Sequence, residues 1–391
     1  MFQIITGDET GLIKLWSPPK VTILGSSEQS REKGVVSIDK FRNEANMYVL
    51  RKNGDVEQWK FDKNSLPSDI STSYSTKISN PIGIRSYDQE KRIVYGALGD
   101  VVLESDAKIS HTTQIQGPLS VLQPLQGGYA AAGRENDIKF YDIETQQVQW
   151  SAVNVPDDYL KYSFHIIWDI ICFTHYNLSR LRVPIWVTDL RFIHEDNHIS
   201  SGATFVTGTA YKHLRLYDTR INQQPTLSVE LMEYRITKLC VDSHHPSVYV
   251  GDASGELFCI DLRTFKRSHT LNSSGGSIRD LSISASGDYL LSVSLDRFVR
   301  VYSTQGNKQI TQGYLNSRLN AGVFLGEGKK GYKKRKATND DDNHDDDEGA
   351  NNSSEEEFDS EDQEDRLKAL VFSDEEDQDE DGSEVDQDDD F

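Results

Sequence analysis

GSIRDLSISASGDYLLSVSLDRFVRVYS, residues 276–303, is the stretch whose reading decides the fold. It contains three short apolar runs, Ile278–Ile283, Tyr289–Val293 and Phe298–Tyr302. The turn signals Ser286-Gly287-Asp288 and Leu295-Asp296-Arg297 separate them. Short runs rich in Val, Ile, Leu and Tyr, punctuated by Gly, Asp and Ser, predict an antiparallel meander. A fourth strand is predicted at Lys308–Tyr314 and a fifth at Leu319–Leu325.

Working outward, the same hairpin recurs along the chain: an apolar strand, a Gly/Asp/Asn turn, then a strand ending near an aromatic residue. The copies are Ile4–Trp16, Tyr48–Trp59, Ile93–Glu104, Tyr129–Asp142, Phe205–Asp218, Val248–Asp261 and Leu290–Ser303. Their strand ends fall at positions 16, 59, 104, 141, 217, 260 and 302. Most of these gaps are close to the forty-odd-residue period of WD-type propeller blades. Seven copies predict an all-β, seven-bladed propeller over residues 1–325. A blade has four strands, so Leu319–Leu325 is surplus to its own repeat. The first blade has room for only two strands before Trp16, with Val21–Leu24 as its outer strand. The surplus strand is therefore expected to close the ring as that blade's innermost strand, leaving no open edge.

The repeats are degenerate. The Gly-His pair usual before the inner strand is absent, and the strand ends read Trp16-Ser17, Trp59-Lys60, Tyr141-Asp142, Tyr217-Asp218, Ile260-Asp261 and Tyr302-Ser303. The buried polar network that His and Asp build in regular blades cannot form in full, so the core is expected to lean on apolar packing.

One interval breaks the period: 76 residues separate Tyr141 from Tyr217. Inside it lies YSFHIIWDIICFTHYNLSR, residues 162–180, rich in aromatics and poor in acids. One reading is a true insertion, an apolar loop or helix for a partner. The other is retained intron sequence, because the codons of Lys161-Tyr162 and Arg180 can spell a splice donor and acceptor. Excision would join the text as DDYLKLRVPIWVTDLRF. A tryptic peptide containing His165–Cys172 would exclude the intron.

Charge is divided unevenly. Residues 337–391 carry 27 acidic residues against Arg366 and Lys368, leaving residues 1–336 with 36 acidic and 40 basic. Between body and tail, GKKGYKKRK (328–336) holds Lys329, Lys330, Lys333, Lys334, Arg335 and Lys336, a pattern of nuclear-localisation signals or nucleic-acid patches. The acidic tail lacks the apolar area to offset chain entropy and is expected to be disordered. An apolar island, Arg366–Phe372, interrupts it as a candidate partner segment. Ser353, Ser354, Ser373 and Ser383 each have an acid three places on, as acid-directed kinases require. Cys172, Cys240 and Cys259 show no paired spacing, which argues against a disulfide framework or zinc site. The N-terminus has no secretory pattern, and no apolar run is long enough to span a membrane.

No phosphate loop or nucleophile elbow is present. His194 and His198 flank Asp196 without further ligands nearby in sequence, and His244-His245-Pro246 reads as a turn. Asp8, Asp55, Asp100 and Asp252 fall in hairpin turns, where a carboxylate caps backbone N–H groups. The expectation is a protein without enzymatic activity, cofactor or small-molecule substrate. Function then lies on the surface. Arg182, Trp186, Asp189, Arg191, Tyr211, Lys212, Arg215, Arg235, Arg279 and Arg297 are the candidate protein-binding residues, because aromatics and arginines dominate interface energetics. The alternative is that Trp186 packs in the core and the arginines are solvated.

The stretches GDETGLIKLW (7–16), RVPIWVTDLRF (182–192), GTAYKHLRLYDTR (208–220), GDASGELFCIDLR (251–263) and residues 276–303 resemble one eukaryotic family. It is the nucleolar WD-repeat, Nop-seven-associated family of large-ribosomal-subunit (60S) assembly factors. The resemblance spans residues 1–325, departs from the pattern at 162–180, and is compatible with the basic and acidic tail. It implies a nuclear, nucleolar scaffold on pre-60S particles that acts in pre-rRNA processing. It also implies contacts with other assembly factors and release by an AAA-type ATPase, with pre-rRNA itself as an open further partner. The rival reading is a substrate receptor of a cullin-type ubiquitin ligase, since Tyr217-Asp218-Thr219-Arg220 and Ile260-Asp261-Leu262-Arg263 approximate the Trp-Asp-x-Arg box of such receptors.

Overall fold

A computed structural model describes residues 2–24, 29–40, 46–60, 70–88, 90–105, 108–154, 184–194, 198–306 and 308–327. The chain divides into two units, Met1–Gly331 and Tyr332–Phe391, and every described residue belongs to the first. The stretch 162–180, the basic run 328–336 and the acidic tail lie outside the described residues.

All seven hairpins form where their alternation predicts them, and each is the middle pair of a four-stranded antiparallel sheet. Among the described residues the single helical element is a 3-10 turn, Arg31–Lys33. The innermost strands, taken round the ring, are Leu319–Glu327, Val35–Asp39, Pro81–Ser86, Val121–Leu125, Val187–Phe192, Ile236–Asp242 and Ile278–Ile283. Each packs on the inner strand of the blades either side, and the last returns to the first, so the ring closes. We number the blades I to VII from the one containing Phe2–Asp8.

Blade I is built from both ends of the propeller. Leu319–Glu327 pairs with Phe2–Asp8 from Phe2↔Glu327 to Asp8↔Leu319, and Ile13–Ser17 and Lys20–Leu24 complete the sheet. The expected closure is therefore observed. It places Trp16 against the strands of blade VII, in a cluster with Leu291, Val301 and Phe324. Gly313 lies beneath that indole, and a Cβ there would sit 2.6 Å from Trp16 Cε2.

Register bears out the strand end of blade III. Trp16 pairs with Ile4 and Tyr302 with Leu290, and the equivalent pair in blade III is Glu104↔Arg92. Glu104 thus occupies the slot that Trp16 and Tyr302 fill in their blades. It is buried there, opposite Arg92, which is also buried. The two approach to 3.7 Å, Tyr74 donates a hydrogen bond to Glu104, and the Arg92 guanidinium lies 3.8 Å from the Tyr48 ring centre. Blades II and III therefore meet through an ion pair wrapped by two tyrosines.

Apolar packing is not the only glue, contrary to the expectation from the degenerate repeats. Asp189 accepts from its own Leu190 N–H at 3.0 Å and from Leu239 N–H of the next blade at 2.9 Å. Asp280 repeats the device, accepting from Leu281 N–H at 3.1 Å and from Gly322 N–H of blade I at 3.0 Å. Asp39 accepts from Ser86 N–H at 2.7 Å, joining blades II and III. Carboxylates on inner strands, bonded to the backbone of the following blade, replace part of the missing His-Asp network.

Candidate interaction surface

An antiparallel ladder returns the chain every second strand. Inner strands therefore begin on one face of the ring, here called upper, and the turns between second and third strands lie on the same face. Those turns are held locally. Asp8 accepts from Thr10 N–H and Leu12 N–H at 3.0 and 2.8 Å, and pairs with Lys14 at 3.1 Å. Asp252 accepts from the N–H groups of Ser254, Gly255 and Glu256, each at 2.9 Å. Such Asp residues are turn caps.

The upper face gathers six of the sequence-predicted residues. Trp186 precedes the inner strand of blade V, half-buried, with the Arg134 guanidinium 5.2 Å from its ring. Tyr211, 40 % exposed, and Lys212, at φ 69°, form the hairpin turn of the same blade. Arg235 precedes the inner strand of blade VI, and Arg279 lies in the inner strand of blade VII; both are exposed. Arg297 occupies the blade VII turn and donates to Tyr314 Oη at 3.1 Å. Arg134, Tyr234 and Leu98 join them on this face, the last two 52 % and 56 % exposed. Cations interspersed with exposed aromatic and apolar side chains suit protein recognition.

Three predicted residues lie elsewhere. Asp189 is buried in the central channel. Burial raises its pKa, but Arg191, Lys238 and the Leu239 N–H outweigh this and hold it below the ordinary value. Arg191 faces the same channel, 3.6 Å from Asp189, and donates to Leu239 O at 3.0 Å. Arg215 is buried beside blade IV and donates to Asn154 at 3.4 Å. These three hold blades together. Arg182 lies outside the described residues, as do Lys329, Lys330, Lys333, Lys334, Arg335 and Lys336.

The channel itself is a charged lining that sequence reasoning missed. A β-bulge follows the first residue of the inner strands of blades II, III, V, VI and VII. It turns the next residue toward the mouth and sets the register beyond it. Ile38, Ile84, Leu190, Leu239 and Leu281 then all point into the sheets and are buried. The residues on either side of each face the channel, among them Asp39, Arg85, Asp189, Arg191, Lys238 and Asp280. A polar-apolar-polar triplet, repeated as Ser37-Ile38-Asp39, Asp189-Leu190-Arg191 and Asp280-Leu281-Ser282, was the available signal. With its amide oxygen turned toward them, Gln123 accepts from Arg191 and Arg85, each at 3.3 Å. Cys240 also lies here, its thiol pushed up to about 12 by burial, which makes it a poor nucleophile.

The lower face carries the other turns. Asp242 caps His244 N–H at 2.9 Å, and the His245 ring is 2.9 Å from the same carboxylate, so the His-His-Pro stretch is a turn. Arg220 pairs with Asp218 at 2.7 Å and Arg263 with Asp261 at 3.1 Å, each arginine engaged by its own turn. Among the described residues no three metal-binding side chains gather, and Asp196 lies outside them.

No family model matches the chain. It is 30 % identical over 200 residues to WD repeat-containing protein 74 of Homo sapiens, covering 50 % of this chain and 46 % of that protein. It is 28 % identical over 249 residues to Ribosome biogenesis protein NSA1 of Eremothecium gossypii, covering 57 % of this chain and 53 % of that protein. Similarity to Ribosome biogenesis protein nsa1 of Schizosaccharomyces pombe runs further: 23 % over 357 residues, 83 % of this chain and 89 % of that protein. The match thus spans about half the length of the mammalian relative. The resemblance read from residues 1–325 is to this same group of proteins. By fold the chain is a seven-bladed WD-type β-propeller, and by sequence it is similar over 83 % of its length to a fungal protein named for ribosome biogenesis.

Proposed function

We propose that the chain is a non-enzymatic scaffold in nucleolar assembly of the large ribosomal subunit, acting in pre-rRNA processing. The observation that carries this is the match along 83 % of the chain to a fungal ribosome biogenesis protein. A closed ring suits the role: every blade packs between two others, so it presents loops on a rigid frame and binds without reorganising. In this reading the upper face, with Trp186, Tyr211, Lys212, Arg235, Arg279 and Arg297, receives other assembly factors of the pre-60S particle. An AAA-type ATPase releases the protein, and the basic run 328–336 directs it to the nucleus.

The test is affinity purification of the full chain from nuclear extract, run on a sucrose gradient with RNA read out. Co-migration with large-subunit rRNA precursors is the expected result. A small complex free of rRNA that contains a ligase adaptor would overturn it in favour of the ubiquitin-ligase receptor.

A further inference from the structure

The upper mouth of the channel is a cavity of about 290 Å³. Arg85, Lys238 and Arg279 line it, with Asp280 as the one acid. Asp280, whose two oxygens accept from Leu281 and Gly322 N–H, offsets one of these charges, so the lining keeps a net positive charge. Arg85 donates to Ile84 O at 2.9 Å and to Ser37 Oγ at 3.4 Å. The side chains of Lys238 and Arg279 donate no hydrogen bond among the described residues. Arg279 stands instead beside a like charge, Arg235; partial desolvation of its guanidinium at the channel mouth and that neighbour hold its pKa below the ordinary value, against the pull of Asp280. Burial likewise lowers that of Lys238, against the pull of Asp189 and Asp280.

The cavity is also shaped. Tyr95 lines it, and a Cβ at Gly83 would lie 2.5 Å from Tyr95 Oη, so the missing side chain is what lets the phenol reach the lining. Ser37, Thr188 and Thr237 add hydroxyls. Cations left without acceptors in a cavity walled by hydroxyl groups form a receptor for an anion with several oxygens. The volume is at the small end of ligand sites and inside the ring, so it takes a compact molecule and not a folded loop or duplex.

We propose that the upper mouth of the channel binds a compact oligophosphate anion, held by Lys238 and Arg279 with Arg85 at its inner side. The ligand is bound and not transformed, and the site does not rest on the ribosomal reading. Isothermal titration of the full chain with inorganic tripolyphosphate, at about 50 mM salt to limit screening, tests it. One-site binding is expected. Lys238→Met should weaken it about tenfold or more and Arg279→Gln several-fold. Arg279 is exposed, so its variant keeps the fold even if the Lys238 variant does not. Neutralising the lysines and arginine of 328–336 should leave this affinity unchanged. Absence of saturable binding, an affinity unaffected by Arg279→Gln, or loss only on neutralising 328–336 would overturn the proposal.

Discussion

Glu104 is an acid buried between two blades with one oxygen, Oε1, left without a hydrogen-bond partner. Burial pushes its pKa up to about 7 from 4.5, although Tyr74 and Arg92 pull it down. A carboxyl raised on folding binds a proton in the native state while the unfolded chain has released it. Its contribution is therefore present below about pH 4.5 and is lost as pH rises through about 7, worth about 3 kcal/mol at most. The urea midpoint of the wild type should fall between pH 5 and 7.5, and Glu104→Gln should flatten that slope. An unchanged slope in the variant would assign the titration to another group. Asp189 behaves oppositely. It is held low and ionised by Arg191 and backbone N–H groups. Asp189→Ala would strand the Leu190 and Leu239 N–H groups and leave Arg191 without its carboxylate. The expected loss is about 2–4 kcal/mol at pH 7 by denaturant unfolding. A loss below about 1 kcal/mol would mean that water replaces the carboxylate.

At the scale of elements, the strand Leu319–Glu327 is the one that cannot be spared. Without it Phe2–Asp8 becomes an unpaired edge, and Ile4, Ile5 and Trp16 lose one wall of their clusters. Each such side chain contributes about 1.5–3 kcal/mol through burial, so together they approach the whole stability of a domain. Truncation from Leu315 onward should abolish the cooperative melt, whereas truncation from Lys329 onward should leave the melting temperature within a few degrees. A normal melt after the longer truncation would show that the ring holds without its closing strand. The segment between blades IV and V enters from a different kind of anchor. Ala152 N–H bonds Ile138 O and Glu135 N–H bonds Ile185 O, both at 2.8 Å, so each flank is tied to blade IV on its own.

For the whole molecule, charge is the organising variable. The ring gathers a group of cations on the upper face and in the channel, while the formal charge of the chain is −21. The basic run 328–336 begins just after the closing strand ends at Glu327. Replacing Lys329, Lys330, Lys333, Lys334, Arg335 and Lys336 with neutral residues should therefore reduce nuclear accumulation by fluorescence while the far-UV spectrum and melt stay unchanged. Undiminished nucleolar signal would mean that a partner carries the protein in.

The sequence by itself determined the blades, their number and their closure. Strand alternation and turn chemistry are properties of neighbouring residues, and the surplus strand 319–325 matched a first blade that lacked one. It also singled out Trp186, Tyr211, Arg235 and Arg297 as lying between strands, where the structure has them, whereas Arg279 falls within the strand Ile278–Ile283. Only the tertiary structure decided which of these side chains share the upper face, and that Asp189 and Arg191 turn inward with Lys238 and Asp280. A bulge after the first residue of most inner strands sets that orientation, and the curvature of the ring then brings residues of six blades to one mouth. Neither can be read from spacing along the chain, because both depend on how each strand registers with one far away in sequence.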